Sequence, residues 1–363
     1  MSYTKEQKAC IWLNNIEGLG LGKKLKLMEM REHPYEIFAN LNNLRTQIIM
    51  ELDEATYDKL VAARQSEDIQ AHCDALRKND VKLITFFDEE YPTALKEIDT
   101  PPILLYCKGD ISLLGKIGIG VVGTRTPTRY GVNVTEQFCE GLVERGVVIV
   151  SGLARGIDAV AHNVALKCGG ETIAVLGSGI DVIYPFENRS LYKDIAEKGL
   201  LVSEYKMGTR PNAYQFPERN RLISAISKGV LVTEAGIKSG SLITADCAIK
   251  QGRDLFLVPG NITSKKSEGV NMLLKSVQGA MVTDVNDIFE ALGIKKMDLS
   301  PESAKLDMIE EFIVNSLREG EKHLEELLAL TDMRIADLTA LLVKMELFGI
   351  IIKLDNNYYG VAK

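Results

Sequence analysis

The chain has 363 residues, 46% hydrophobic and 26% charged, with a net charge of −7, which leaves room for two or three domains and argues against a uniformly basic nucleic-acid coat. It contains no run of eighteen apolar residues, so a membrane-spanning helix is not expected. Met1 to Lys8 lacks the apolar stretch of a signal peptide, and the expected address is cytoplasmic.

Residues 1–64 read as a small all-helical domain. Lys5 to Asn14 is amphipathic, and Ile16-Glu-Gly-Leu-Gly-Leu-Gly22 makes a tight glycine turn before Lys23-Lys-Leu-Lys. This pattern resembles the helix-hairpin-helix of sterile-alpha-motif-like (SAM-like) domains, whose turn N–H groups can grip a phosphate. A glycine turn used only for helix packing is the equal alternative.

Residues 65–292 read as an α/β core. A helix through Leu76, a strand Val81–Phe86 and the extended Pro101–Tyr106 lead into an alternation of strands and helices. The strands are expected at Ile117–Val122, Val147–Val150, Thr172–Leu176, Leu200–Ser203, Gly229–Val232 and Leu255–Val258, each followed by a small-residue turn. Alternating apolar strands and helices imply a doubly wound parallel sheet. Its turns gather at the carboxyl edge, where such sheets bind ligands.

Residues 293–303 read as a linker. Residues 304–363 show three helical patterns, Leu306–Leu317, His323–Leu330 and Arg334–Leu347, and a hairpin turning at Asp355-Asn-Asn357. Three helices and a hairpin describe a winged helix. From Asp298 onward thirteen acids face seven bases, a local −6, so a protein contact or regulatory role is favoured over DNA binding.

The chemistry concentrates between Gly199 and Ala280. After Val232 come Gly236, Lys238, Ser239, Gly240 and Ser241, then helical spacing at Leu242, Ala245, Ala248 and Ile249. A small-residue turn before a helix N-terminus presents N–H groups and a positive dipole end to an anion. Phe216 stands beside Arg219 and Arg221, a ring and two guanidinium groups, the pairing that single-stranded nucleic acid requires. The bland alternative for Phe216 is a buried core ring. Between Glu204 and Lys266 ten bases face five acids, locally +5.

No G-x-G-x-x-G or G-x-x-x-x-G-K-[ST] loop is present. The six dispersed cysteines form no C-x-x-C pair, and no metal or cofactor is expected. His162 reads as a structural helix position. Asp158, Asp181 and Glu234 follow strands without a paired nucleophile, and hydrogen bonds to turn N–H groups are their preferred reading.

The turns taken together are Gly120-Val-Val-Gly-Thr-Arg125, Ser151-Gly-Leu-Ala-Arg-Gly-Ile-Asp158, Leu176-Gly-Ser-Gly-Ile-Asp-Val-Ile-Tyr-Pro185, Phe216–Arg221 and Ser239–Ala245. On these the chain closely resembles the DNA-processing protein A family (DprA/Smf). The resemblance implies an extended Rossmann-like core that binds single-stranded DNA, forms a homodimer and loads the RecA recombinase during natural transformation, without catalysis. It implies a DNA pocket from Gly123, Thr124 and Arg125; Ser151, Gly152, Ala154 and Arg155; Phe216, Arg219 and Arg221; and Lys238, Ser239, Gly240 and Ser241. Asn271, Leu274 and Lys275 fall in the region where the family dimerises and meets RecA. There the stretch from Gly269 to Ala280 runs about two residues longer than the family pattern. The rival reading is a Rossmann-like phosphoribohydrolase, which places a glutamate beside a Gly-rich turn as Glu234 precedes Gly236. That group typically has Pro-Gly-Gly-x-Gly-Thr, whereas this chain has Ala235-Gly-Ile-Lys-Ser-Gly240.

Overall fold

Short apolar runs between glycine turns become the strands of one sheet: β1 (Lys82–Thr85), β2 (Leu104–Gly109), β3 (Gly118–Val122), β4 (Val148–Ser151), β5 (Thr172–Val175), β6 (Leu200–Ser203), β7 (Gly229–Val232), β8 (Asp254–Leu257) and β9 (Ala280–Met281). The computed structural model describes residues 3–31, 33–66, 68–294, 308–318, 320–331, 333–347, 350–354 and 357–361. The sheet order is β1-β2-β6-β5-β4-β3-β7-β8-β9. From β6 to β9 neighbouring strands are parallel, while β2 is antiparallel to both β1 and β6. Strands β3 to β7 are buried along their whole length because helices cover both faces.

The chain steps outward from β3 through β4, β5 and β6, then returns to lay β7 on the other side of β3. That reversal is a topological switch point, and ligands of such sheets bind beyond the carboxyl ends of the flanking strands.

The N-terminal helices, from Lys5–Asn15 to Ile69–Lys78, belong to the same compact unit as the sheet, Met1–Ile294. Trp12, Leu13, Leu27 and Ile48 share one core with Leu83, Tyr106 and Leu201 of β1, β2 and β6. The glycine turn holds Gly18 at φ 67°, and its carbonyl accepts from Lys59 Nζ at 2.6 Å. Lys24 is buried and donates to the Asn14 carbonyl at 2.5 Å, and Lys23 pairs with Asp53 at 2.5 Å. Lys24 thus serves packing, while Lys23 is held in an exposed ion pair.

Several elements differ from expectation. The helix Arg129–Glu144 starts where the Thr128 hydroxyl caps it, accepting from the Gly131 N–H at 3.2 Å. Phe216–Arg221 lies inside a helix, Gln215–Ile226. Pro217 is tolerated there because a first-turn N–H has no intrahelical partner to lose. The short helix Thr93–Lys96 and two-residue β9 are too brief to show a period.

His162 is fully buried on the helix Ile157–Lys167. The Thr172 hydroxyl donates to the Ile149 carbonyl at 2.7 Å, so its oxygen must accept from His162 Nδ1–H at 2.6 Å. Nε2 then keeps a lone pair, with no hydrogen-bond partner among the described residues. Burial, reinforced by Arg219, depresses its pKa to about 3. A depressed histidine contributes stability that is full above its unfolded value, roughly 6.5, and is lost as pH falls toward the folded value. Thermal melts should therefore show stability falling below about pH 6.5 by up to roughly 1.4 kcal/mol per pH unit from this group. His162→Gln should flatten that limb; an unchanged slope would refute the assignment.

The second unit is Lys295–Lys363. Helices Met308–Arg318, Leu324–Thr331 and Ile335–Leu347 accompany a three-stranded antiparallel sheet of β10 (Lys322–His323), β11 (Ile351–Lys353) and β12 (Tyr358–Val361), in the order β10-β12-β11. Its core contains Ile313, Leu317, Leu327, Leu338, Leu342, Met345 and Tyr359. Most of the expected linker, from residue 295 on, and the hairpin positions Asp355 and Asn356 lie outside the described residues.

Candidate nucleic-acid interface

The turns after β6, β5, β4, β3, β7 and β8 stand side by side along the carboxyl edge, as the strand order requires. Two of them are filled by the protein's own carboxylates. Glu234, buried just beyond β7, accepts from the Thr128 N–H at 2.8 Å and its hydroxyl at 2.6 Å, while its carbonyl accepts from the Thr124 N–H at 2.7 Å. An anion thus already occupies the N-terminus of the helix Arg129–Glu144, at the switch point. Asp158 does the same after β4, accepting from the Gly152 and Ala154 N–H groups at 3.1 and 3.3 Å. Asp181 accepts from the Gly208 N–H at 2.7 Å. All three carboxylates bond turn N–H groups.

The guanidinium expectation needs correcting. Arg219 is 4% exposed. Its Nη1 donates to the Gly152 carbonyl at 2.7 Å and to the Val175 carbonyl, and Nε donates to Asn220 Oδ1 at 3.2 Å. Burial lowers its pKa to about 10, against the opposing pull of Asp158. Burial also raises the Asp158 pKa, opposed by Arg219. This arginine ties the turn after β4 to the end of β5 rather than facing a phosphate. Arg221, two residues on, lies on another side of the helix. It pairs with Glu204 at 2.6 Å, both side chains 13% exposed, and donates to Thr100 Oγ1 at 3.2 Å. Ser151 is likewise buried, its hydroxyl donating to the Val121 carbonyl at 2.6 Å.

Other expected residues do converge. The Arg125 guanidinium lies over the Phe216 ring, 5.6 Å from its centroid. Phe216 also stacks with Tyr184, centroids 5.5 Å apart and planes inclined by 30°. The close approach needs Gly177, where a Cβ would lie 2.7 Å from Phe216 Cδ1. Phe216 is half-buried, whereas Arg125 and Tyr184 are exposed. The result is an aromatic pair with a cation at its face, joining the turns after β3 and β5.

Across the switch point, Lys238 and Gly240 are exposed, Ser239 is half-buried and Ser241 is buried. The helix Ser241–Lys250 begins at Gly240 with no side-chain cap, in contrast to the carboxylate-filled terminus beside it. Lys266, from the turn after β8, donates to the Thr126 hydroxyl. Gly123 is partly buried and Thr124 buried, supporting the turn from within. Gly156 takes φ 79° with Thr124 O where a Cβ would point, so no side chain fits there. Arg155 is exposed and paired with Glu187. The Asn188 amide donates to the Leu153 and Ala154 carbonyls at 3.0 and 3.2 Å, locking the turns after β4 and β5 together.

In the region expected for assembly, Asn271 clamps Gly260, accepting from its N–H at 3.2 Å and donating to its carbonyl at 3.0 Å. Leu274 is half-buried and Lys275 exposed. Tyr184, Asn188 and Lys266 join these turns without a motif that marks them, although Tyr184 falls within the turn Leu176–Pro185.

A family model for DNA recombination-mediator protein A matches residues 82–293. The chain belongs to this family. Protein Smf of Escherichia coli is 45% identical over 61% of this chain and 60% of its own length. Protein Smf of Synechocystis is 31% identical over 94% of this chain and 95% of its own. The X-ray structure of DNA processing protein A from Streptococcus pneumoniae superposes with a TM-score of 0.69 at 35% identity, covering 80% of this chain and 98% of that one. A Helicobacter pylori family structure, described in terms of its single-stranded DNA binding mode, gives a TM-score of 0.53 at 34% identity, covering 58% and 95%. Family members thus share the parallel-dominated α/β sheet. No helix among the described residues is long and apolar enough to cross a membrane.

Proposed function

We propose that this protein binds single-stranded DNA along the carboxyl edge of its sheet, in the cytoplasm, as a DNA-processing factor. The observation that carries the reading is the Tyr184–Phe216 pair with Arg125 over the ring, since bases stack on rings and phosphates take counter-charge from the neighbouring cation. Exposed Lys238 and the uncapped helix after it supply a phosphate position nearby. The single-stranded DNA mode described for the H. pylori relative supports the same reading.

The wider role follows the family: loading of RecA on incoming strands during natural transformation, by a homodimer. The family's description as a recombination mediator supports it. Exposed Met272, Val277 and Met281 around the edge strand β9 offer apolar surface for a second copy. The N-terminal helices act as a SAM-like support, and the C-terminal unit as a winged helix for a protein partner. The phosphoribohydrolase rival fares poorly because Glu234 is buried and committed to Thr128.

A gel shift decides the central claim. Single strands should bind more tightly than duplex, with a log–log salt slope of roughly −0.7 per phosphate neutralised. Equal affinity for both forms would count against it. Free base released from nucleoside monophosphates would instead establish the enzyme.

A further inference from the structure

We propose that Phe186 is a second nucleobase platform, one step beyond the Tyr184–Phe216 pair; the inference rests on the single-stranded DNA reading above. Phe186 is 69% exposed at the start of the short 3-10 turn Phe186–Asn188, in which no residue is buried. A ring so exposed contributes little to the fold. It carries a cation instead: the Arg189 guanidinium lies over it, 5.8 Å from the centroid. This repeats the arrangement of Arg125 over Phe216 on the same side of the sheet.

The segment is held in place from both sides. Upstream, Tyr184 stacks on Phe216. Downstream, Glu187 pairs with Arg155, and Asn188 donates to the Leu153 and Ala154 carbonyls. Phe186 therefore projects from an anchored turn rather than a slack loop. One residue, Pro185, separates it from Tyr184, so the two lie at most roughly 7 Å apart along the backbone. A strand whose base stacks at the Tyr184–Phe216 pair can set a neighbouring base on Phe186 and a phosphate near Arg189. Stacking accepts any base, so the added subsite would raise affinity without sequence preference.

The test uses the full-length protein and an oligothymidylate long enough to span both platforms. Phe186→Ala should weaken binding by roughly five- to a hundredfold, the range of one lost stacked base, with an unchanged melting temperature. Scanning one abasic site along the oligonucleotide should reveal a position that weakens the wild type yet costs Phe186→Ala nothing further. In Phe186→Trp the new indole is the exposed one, because the natural Trp12 is fully buried, and its fluorescence should be quenched by single strands. Wild-type affinity retained in Phe186→Ala, or abasic losses identical in both proteins, would overturn the platform while leaving the DNA reading intact. A change of self-association rather than of DNA affinity would also overturn it, in favour of a protein contact. Failure of the wild type itself to bind single strands would overturn the underlying reading.

Discussion

Arg219→Ala should lower the folding stability by roughly 3–5 kcal/mol, the cost of breaking a buried charge pair by removing one partner. The substitution removes the larger of the two arginine charges that favour the buried Asp158 carboxylate, leaving only Arg125, and strips donors from the Gly152 and Val175 carbonyls. At roughly 2–4 °C per kcal/mol for a chain of this order of size, the melting temperature should fall by about 6 °C or more. Arg219→Lys should rescue little, because one ammonium group cannot reproduce a planar fork donating in several directions. The measurement is a thermal melt beside a DNA titration. A variant with wild-type melting and lost binding would restore the direct phosphate role that the burial argues against.

Phe216→Ala should act mainly on DNA, costing roughly 1–3 kcal/mol of single-strand binding. The ring is only partly buried, so the stability loss should stay well below the roughly 3–5 kcal/mol of a fully buried phenylalanine. Its removal takes away one member of the aromatic pair and leaves Arg125 without the face it lies over. Gly177→Ala should show a related defect through geometry alone, since its Cβ would press on Phe216 Cδ1 and displace the ring. A melting loss of full core size for Phe216→Ala would identify a core ring and remove the stack from the binding site.

Local features that repeat within a few residues were legible without coordinates. The buried strands β3 to β7 show as apolar runs, their turns as glycine clusters, and the alternation with helices leads to a parallel sheet. The small-residue turns that carry Arg125 and Lys238 were also readable, because a turn of that kind is a property of a short segment, whereas the helix that holds Phe216 was expected as a turn. The fate of each charged side chain was not readable. Arg219 and Arg221 look alike in sequence, yet one is buried against Gly152 and Val175 and the other is paired with Glu204. Which carbonyl or carboxylate meets an arginine depends on strands distant in sequence that only the order of the sheet makes neighbours. Tyr184 joins Phe216 for the same reason: the turn after β5 and the helix after β6 become adjacent only once β5 and β6 pair. Sequence alone thus determined the central strands and the small-residue turns that follow them; the tertiary structure decided which rings and cations face outward, because burial is set by packing between distant segments.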